Sequence, residues 1–274
     1  MIQKPIFSPQ TEWLPPDSFP DLSRYDEIAI DLETKDPQLK TMGSGSVTGR
    51  GEIVGVAVAV EDWSGYYPIA HEGGGNMDKK RVMEWFRIIL NYPSTKIFHN
   101  AMYDVCFIRA AGLDIKGKIV DTMIAGSLVD ENRFRYDLGS MGRDYLGKGK
   151  NEAVLKETAD IWGVDAKSEM YKLPAMYVGE YAEEDAKLTL ALWQEMKKEI
   201  LHQDIQSIFD LETELFPCLV DMRFLGVRVD IQAANELKDK LSLEEKQCLL
   251  KVKKETGVDT QIWAARSIAQ VFEK

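Results

Sequence analysis

The chain has few of the residues on which disulfide-linked and membrane-inserted proteins depend. Its 274 residues include three cysteines, Cys106, Cys218 and Cys248, without paired spacing. This pattern predicts reduced thiols in a cytosol-like compartment. No apolar segment approaches the length of a membrane span, and residues 1–5 lack the apolar core of a signal peptide. We therefore expect a protein of the cytoplasm, bacterial or phage-infected, with no membrane partner.

Positive charge is also in the minority. Lys and Arg number 34 against 45 Asp and Glu, which gives a net charge of −11. This balance argues against a basic, sequence-independent DNA coat. It leaves open a nucleic-acid enzyme whose acids surround metal ions. Residues 73–75 are three glycines, but no Lys-Ser/Thr follows at the spacing of a phosphate-binding loop, and no EF-hand spacing exists.

The pattern of apolar residues predicts an α/β fold. Turn residues at 62–65 indicate an antiparallel meander, followed by strand–helix–strand units. Helices are expected after Asn76 or Asp78 and from Asn100, and almost throughout 122–225. The order fits a ribonuclease H-like five-stranded mixed sheet flanked by helices, with a helical C-terminal extension. The five strands are predicted at residues 27–33, 52–60, 66–71, 95–98 and 118–121.

Composition divides the chain into three parts. Residues 1–25 are punctuated by prolines and are predicted to form an extended arm laid on the domain. Residues 26–203 form the predicted α/β domain, and 204–274 a helical segment. Within the domain, the glycine-rich stretch 42–51 is expected to be a mobile loop that holds no packed element.

Asp31 and Glu33 stand at the carboxyl end of the first predicted strand. Residues two apart on a strand point to the same face. Two neighbouring carboxylates repel each other unless a cation neutralises the pair. Oxygen-rich acidic sites suit Mg²⁺ or Mn²⁺. The alternative is an edge strand that ends in solvated acids.

Two further segments carry acids that could join this pair. Asp104 lies one turn into the helix that Asn100 is expected to cap, on the face that can look back toward the strands. Tyr181 and Asp185 are four residues apart and share one face of a later helix. The alternatives are a helix cap with a dipole-stabilising Asp, and an acidic surface helix. Four converging carboxylates can hold two divalent cations that stabilise both the attacking and the leaving oxygen of an in-line displacement.

These segments resemble the three motifs of the DEDD family of 3′→5′ exonucleases, in its tyrosine subclass. The matching residues are Ile30 to Thr34, His99-Asn100 with Asp104, and Tyr181 with Asp185-Ala186. The histidine subclass would place His at position 180, where this chain has Glu180. Residues 67–76 and 121–123 resemble the proofreading domain of family A DNA polymerases of phage or prophage type. Residues 211–230 resemble the junction with a polymerase domain.

The resemblance implies roles for these residues. Asp31, Glu33, Asp104 and Asp185 would hold two divalent cations, Mg²⁺ or Mn²⁺, and Tyr181 would orient the attacking water. Thr34, Asn100 and an apolar wedge, Leu39 or Met42, would contact the terminal nucleotide. A basic stretch with interleaved aromatic residues would contact single-stranded DNA; alternatively it is a solvated helical face. Its members are Arg133, Phe134, Arg135, Tyr136, Arg143, Tyr145, Lys148 and Lys150.

The function that follows is hydrolysis of DNA from its 3′ end with release of 5′-mononucleotides, as in proofreading. The expected partners are single-stranded DNA 3′ ends, a DNA polymerase domain and other replication proteins. Only 44 residues follow Asp230, so no polymerase palm or fingers, and no polymerisation, are expected from this chain alone. Two alternatives stay open, a ribonuclease D-like RNA exonuclease and a non-catalytic docking module.

Overall fold

A computed structural model describes residues 10–274. The first nine residues of the predicted arm lie outside the described range. The chain divides into two compact units that meet between Phe224 and Leu225, and each is described by itself. The predicted boundary at 203/204 falls inside the first unit, because Phe209, Phe216 and Val220 are buried there.

The first unit is built on a five-stranded mixed sheet with the order β3-β2-β1-β4-β5. β1 pairs with β2 and β2 with β3 in antiparallel fashion, whereas β1, β4 and β5 run parallel. This arrangement confirms the predicted fold class. The strands are β1 (Glu27–Lys35), β2 (Glu52–Val60), β3 (Trp63–Pro68), β4 (Thr95–Phe98) and β5 (Ile119–Asp121).

Helices cover both faces of the sheet. Those of the first unit are α1 (Leu39–Met42), α2 (Gly45–Thr48), α3 (Lys79–Leu90), α4 (Ala101–Ala110), α5 (Thr122–Val129), α6 (Leu138–Leu146), α7 (Ala153–Trp162), α8 (Gly179–His202) and α9 (Gln206–Leu225). Two short 3₁₀ turns, Met170–Lys172 and Ala175–Tyr177, precede α8. α9 crosses the boundary between the units by one residue.

Side chains alternate between two cores along the central strand. Ile28 and Ile30 face the core that contains α3 and α4. Ala29 faces the other core, together with Ala182 and Ala186 of α8. This is the period of two that a strand imposes. Since alanines occupy both sides of that contact, α8 packs closely against β1 and its polar residues reach the end of the strand.

The glycine-rich stretch 42–51 departs from its prediction, because it contains the short helix α2 with Gly45 and Ser46 buried. The amide of Gly45 donates a hydrogen bond to Asp36 Oδ2 at 2.9 Å. A Cβ at position 45 would lie 2.6 Å from the amide nitrogen of Gly51. A buried acceptor and close backbone contact therefore order a segment whose composition predicts a loop.

The arm residues from 10 onward lie on the sheet domain. The Trp13 indole N–H donates to Glu183 Oε1 at 2.8 Å, and the ring of Phe19 stacks on Tyr67 with centroids 5.3 Å apart. The Trp85 indole N–H donates to the carbonyl of Pro20 at 2.9 Å. These contacts tie the described part of the arm to both β3 and α3.

The second unit, residues 225–274, contains α10 (Ile231–Thr256) and α11 (Ala265–Phe272). The Asp230 side chain caps α10 by accepting from the amide of Ala233 at 3.0 Å. Gly257 ends the helix in the left-handed region, at φ 74°. In the described part of the chain, no helix combines the length and apolar character needed to cross a membrane.

Candidate functional site

Asp31 and Glu33 lie at the carboxyl end of β1 on the face that α8 covers, in phase with Ala29. Their β2 partners are Ala57 and Gly55, and the ring of Tyr66 fills the space over Gly55, where a Cβ would lie 2.1 Å from the Tyr66 hydroxyl oxygen. The pairing register shifts directly after Glu33. Irregularities of this kind end the ladder and re-aim side chains beside functional sites. The sequence-predicted pair therefore forms one acidic face next to α8.

Asp104, in the first turn of α4, approaches β1 from the other neighbouring side. β4 pairs with β1 only at Glu27 to Ala29, so the later amides of β1 have no strand partner there. Asp104 Oδ1 accepts from the amide of Leu32 at 3.2 Å. The carboxylate, which is 5% exposed, thereby stands between the backbone positions of Asp31 and Glu33.

Asn100 occupies the N-cap position of α4, as predicted, but its side chain does not make the capping hydrogen bond. The residue adopts a left-handed conformation, φ 65° and ψ 50°. The carboxylate of Asp121 takes that role, accepting from the amides of Asn100 at 2.9 Å and Ala101 at 2.8 Å. It also accepts from Met123 at 2.8 Å. A single Asp at the end of β5 thus starts two helices, a role that spacing along the sequence does not reveal.

Tyr181 and Asp185 project from one face of α8 toward β1, as their spacing predicts. Asp185 is 3% exposed. Lys150, from the loop between α6 and α7, bonds Asp185 Oδ2, and its ammonium donates to the Tyr181 hydroxyl at 3.1 Å. Asp185 Oδ1 is buried without a hydrogen-bond partner among the described residues. The sequence placed Lys150 in a basic stretch for DNA but did not place it beside these acids.

Asp31, Glu33, Asp104 and Asp185, here named the acid cluster, interact electrostatically. Burial, and then Asp185, raise the pKa of Asp31 to about 7, while Lys150 opposes the rise. Burial, Asp31 and Asp185 raise the pKa of Glu33 well above its usual range. Burial and Asp31 do the same to the pKa of Asp104. Each carboxylate therefore ionises at a cost in free energy that added positive charge would remove.

The donor set suits hard divalent cations, because every member is a carboxylate and one buried oxygen of Asp185 is unpartnered. Among residues 10–274, however, no three His, Cys, Asp or Glu side chains are already grouped as around a metal ion. Lys150 lies against Asp185 instead. Coordination would require the carboxylates to turn toward a common point.

A polar cavity of about 390 Å³ opens beside Asp31. Asn100 lines it, as do three cations, Arg143, Lys150 and Lys167. His99 also lines it, and burial, followed by the charge of Lys150, lowers the pKa of this imidazole to about 4. Three acids, Asp31, Asp137 and Glu152, line it as well, so the cavity places the Asp31 end of the acid cluster beside three cations.

Arg133 and Arg135 do not line this cavity. The Arg133 guanidinium pairs with Asp144 and lies 5.1 Å from the centre of the Tyr145 ring, with its side chain 13% exposed. Arg135 is exposed, and its carbonyl accepts from Arg133 Nε at 3.3 Å. The contacts of Arg133 lie within the fold, in the loop between α5 and α6, and not on a solvated helical face.

The other predicted substrate contacts lie in the last residues of β1 and on α1, which follows it. Thr34 Oγ1 shares a hydrogen bond with the Tyr103 hydroxyl at 2.8 Å, and Tyr103 precedes Asp104 in the chain. Leu39 and Met42, on α1, are 44% and 51% exposed. Both apolar side chains are therefore available on the surface next to the acid end of the strand. The sequence did not single out Tyr103.

The fold is of the ribonuclease H-like class, and known proteins of that class resemble the chain over most of its length. Brucella melitensis NrnC with bound Mg²⁺ superposes with a TM-score of 0.53 at 18% identity, covering 77% of this chain and 92% of that chain. At this identity, the similarity establishes the fold alone.

The family is established by a match over residues 8–201 to the model described as 3′-5′ exonuclease. The chain belongs to this 3′-5′ exonuclease family of A-type DNA polymerases. It is 32% identical over 99% of its length to a DNA-directed DNA polymerase of Pseudomonas phage M6, and covers 43% of that protein. It is 30% identical over 82% of its length to DNA polymerase I of Pseudomonas aeruginosa, and covers 25% of it. The chain thus spans less than half the length of these curated relatives.

Proposed function

We propose that this protein hydrolyses DNA from the 3′ end with two divalent cations, releases 5′-mononucleotides, and proofreads for a DNA polymerase. One observation carries the proposal. Within a chain of the 3′-5′ exonuclease family, β1, α4 and α8 bring the acid cluster and Tyr181 together at one end of the sheet.

The acid cluster would hold the two cations, with Asp31 shared between them because it stands between Asp185 and Asp104 in the electrostatic network. Mg²⁺ and Mn²⁺ both suit carboxylate oxygens. When bound, such cations lower the pKa of water and offset the charge that develops on the attacking and leaving oxygens. The cluster itself supplies four ligands on three rigid elements.

The remaining chemistry belongs to the chain's own groups. Tyr181 would hold the attacking water through its hydroxyl, and Glu33 would orient the same water by accepting a hydrogen bond from it. The water oxygen forms a bond to phosphorus as the bond from phosphorus to the 3′ oxygen breaks. The products are a 5′-mononucleotide and a strand shortened by one residue, with a new 3′ hydroxyl.

The 3′ end would enter the cavity beside Asp31. Asn100, which lines the cavity, and Thr34 would contact the terminal nucleotide. Leu39 or Met42 would lie against its base. Arg143 and Lys167 would face the phosphates, since both line the same cavity. Arg133 and Arg135 are left with a smaller role in binding than the sequence predicts.

The link to polymerisation is supported by the relatives, which are DNA polymerases more than twice as long as this chain. Residues 225–274 would form the start of the connection to a polymerase domain or another replication protein.

The test is degradation of 5′-labelled single-stranded DNA with Mg²⁺, with Mn²⁺ and with EDTA. Metal-dependent shortening from the 3′ end is expected in the wild type and in Glu180→Gln, a control one residue before Tyr181. Asp31→Asn should abolish the shortening, and Tyr181→Phe should reduce it less because the carboxylates remain. Faster decay of matched RNA would favour the ribonuclease D-like alternative. No decay in any lane, with no Mn²⁺ binding by calorimetry, would favour a docking module.

A further inference from the structure

Lys150 is the cation that contacts the acid cluster directly. Within residues 10–274, the one salt bridge made by a member of the cluster joins Asp185 to Lys150. The ammonium also donates to the Tyr181 hydroxyl at 3.1 Å and lies 5.1 Å from the centre of that ring. The side chains of Asp185 and Lys150 are 4% and 22% exposed. One lysine therefore contacts both groups that α8 presents to β1.

The two residues of this salt bridge belong to segments of different rigidity. Asp185 belongs to a 24-residue helix packed on the sheet. Lys150 belongs to the connection between α6 and α7, which contains no helix or strand from Gly147 to Glu152. Its ammonium also ends a flexible four-carbon stem with three rotatable donors. Of the two, the lysine is the partner that can exchange one contact for another.

Charge determines when that exchange would be favourable. Four buried carboxylates carry up to four negative charges, and one ammonium offsets only part of them. Two divalent cations would offset all four and leave the ammonium without a role at Asp185. A substrate phosphodiester adds one negative charge, which matches the single charge of Lys150. The lysine already lines the cavity beside Asp31 and Asn100 where such a phosphate would lie.

We propose that Lys150 is an exchangeable counter-ion: its ammonium holds Asp185 and Tyr181 in place, gives up Asp185 to an incoming divalent cation, and then pairs with the substrate phosphate. The proposal rests on the proposed two-metal function. In this order of events, cation binding releases the Lys150 ammonium from Asp185, and substrate binding then uses the same ammonium.

The experiment compares wild type, Lys150→Gln, Lys150→Arg and the surface control Lys198→Gln, whose side chain is 68% exposed and pairs with Glu195. Calorimetric titration with Mn²⁺ should show roughly tenfold tighter binding by Lys150→Gln, because the competing ammonium and its charged hydrogen bond are gone. In EDTA at pH 8 the same variant should melt lower by about 3 °C, because the acids lose the counter-ion that contacts Asp185. These two changes have opposite signs, whereas simple damage to the fold would weaken both stability and binding.

Steady-state kinetics tests the second proposed contact, between the Lys150 ammonium and the substrate phosphate. At saturating Mn²⁺, the KM of Lys150→Gln for single-stranded DNA should rise roughly tenfold, the effect of one charge-assisted hydrogen bond. Lys150→Arg should recover part of that loss, since a guanidinium also pairs with phosphate. Lys198→Gln should match the wild type throughout.

Unchanged or weaker Mn²⁺ binding by Lys150→Gln would overturn the proposal, because the metal would then use Asp185 Oδ1 while the lysine keeps Oδ2. An unchanged KM would overturn the transfer to phosphate. If no protein bound Mn²⁺ and none degraded DNA, both this inference and the proposed function would fall. Activity and Mn²⁺ binding in the wild type with no effect of Lys150→Gln would reject this inference alone.

Discussion

β1 and α8 run together through the domain and carry acids at both ends of their contact, yet the two ends differ. At the amino end of β1, Glu27 accepts from Trp193 Nε1 at 2.8 Å, from Gln194 Nε2 at 2.9 Å and from Lys197 Nζ at 2.8 and 2.9 Å. At the carboxyl end, the acid cluster has one ammonium and leaves Asp185 Oδ1 unpartnered.

The pKa values of Glu27 and Asp31 reflect the hydrogen-bond donors around each carboxylate. Burial acts to raise the pKa of Glu27, but the hydrogen bonds from Lys197, Gln194 and Trp193 outweigh it, so the net pKa is lowered. Burial and Asp185 instead raise the pKa of Asp31 to about 7. At the amino end of β1, donors of the chain itself thus stabilise the ionised form of Glu27. The carboxyl end has more negative charge than the chain neutralises, which is typical of a site completed by a ligand.

The largest expected effect is on activity, which a substitution at the carboxyl end of β1 should lower and one at the amino end should not. Asp31→Asn should lower the rate of 3′ shortening by at least about a hundredfold, the scale of losing one preorganised group at the reacting centre. Glu27→Gln should keep the rate within about threefold, since an electrostatic change of this size at a distant structural site has little effect on the reaction. Initial rates on labelled single-stranded DNA at 25 °C measure both. Similar losses in the two variants would remove the distinction between the ends.

His71, whose two ring nitrogens both have hydrogen-bond partners, tests the same idea through the pH dependence of the free energy of unfolding. The His71 imidazole lies between the Tyr66 hydroxyl, at 2.6 Å, and the Leu173 carbonyl, at 3.0 Å. Burial lowers its pKa to about 4, so the folded state favours the neutral ring. Its contribution to stability is present above the unfolded pKa of about 6.5 and is lost as pH falls toward 4, by about 3 kcal/mol in all.

The measurement for His71 is the free energy of unfolding of wild type and His71→Gln from pH 7.5 to 4. The difference between the two proteins should shrink by about 3 kcal/mol over that range. His99, whose pKa is also lowered to about 4, contributes equally to both proteins and cancels. A pH-independent difference would mean that His71 titrates alike in the folded and unfolded states.

Stability should also distinguish the two ends of β1, with opposite signs. Glu27→Gln weakens contacts with three donors and should destabilise the fold by about 2 kcal/mol, the scale of hydrogen bonds to a charged group. Asp31 has a raised pKa in the folded state, so its ionised form opposes folding above pH 7. Asp31→Asn should therefore stabilise the protein by about 1 kcal/mol at pH 8 in EDTA. Urea denaturation of both variants checks the signs, and destabilisation by Asp31→Asn would show that the fold needs this charge.

Much of the sheet was predictable from local pattern. β2 (Glu52–Val60) and β4 (Thr95–Phe98) match their predicted bounds because apolar runs bounded by turn residues define them. Period and spacing also placed Asp31 with Glu33 on one strand face and Tyr181 with Asp185 on one helix face, whereas the meeting of these faces was expected from the resemblance to the exonuclease motifs. What the acids do there remains a prediction.

Contacts made by tertiary packing were not predictable in this way. Asp121, not Asn100, accepts the first amides of α4 because β5 brings it alongside β4. Lys150 reaches Asp185 from 35 residues away, through a loop whose composition resembles any solvated basic stretch. α2 forms in a glycine-rich segment because Asp36 supplies a buried acceptor. In each case a partner outside the segment itself determined the outcome.

The smallest expected effect distinguishes two arginines within the basic stretch, where sequence treats them alike. Arg143 lines the cavity beside Asp31, and its one side-chain hydrogen bond to the described residues goes to Ser140 Oγ, at 3.1 Å. Arg133 is held by Asp144 and the ring of Tyr145. In an Asp31→Asn background that does not degrade DNA, Arg143→Gln should weaken binding of single-stranded DNA several-fold. Its salt dependence should fall by roughly 0.7 in log–log slope, the contribution of one phosphate contact on a single strand.

Arg133→Gln should leave that slope unchanged and lower the melting temperature slightly, because its contacts are within the fold. Fluorescence anisotropy at several salt concentrations measures both slopes on one labelled oligonucleotide. If Arg133→Gln lowers the slope and Arg143→Gln does not, the strand passes over Arg133 and Arg135, as the sequence predicts. The cavity beside Asp31 would then accept only the terminal nucleotide, with the rest of the strand crossing the surface near Arg135.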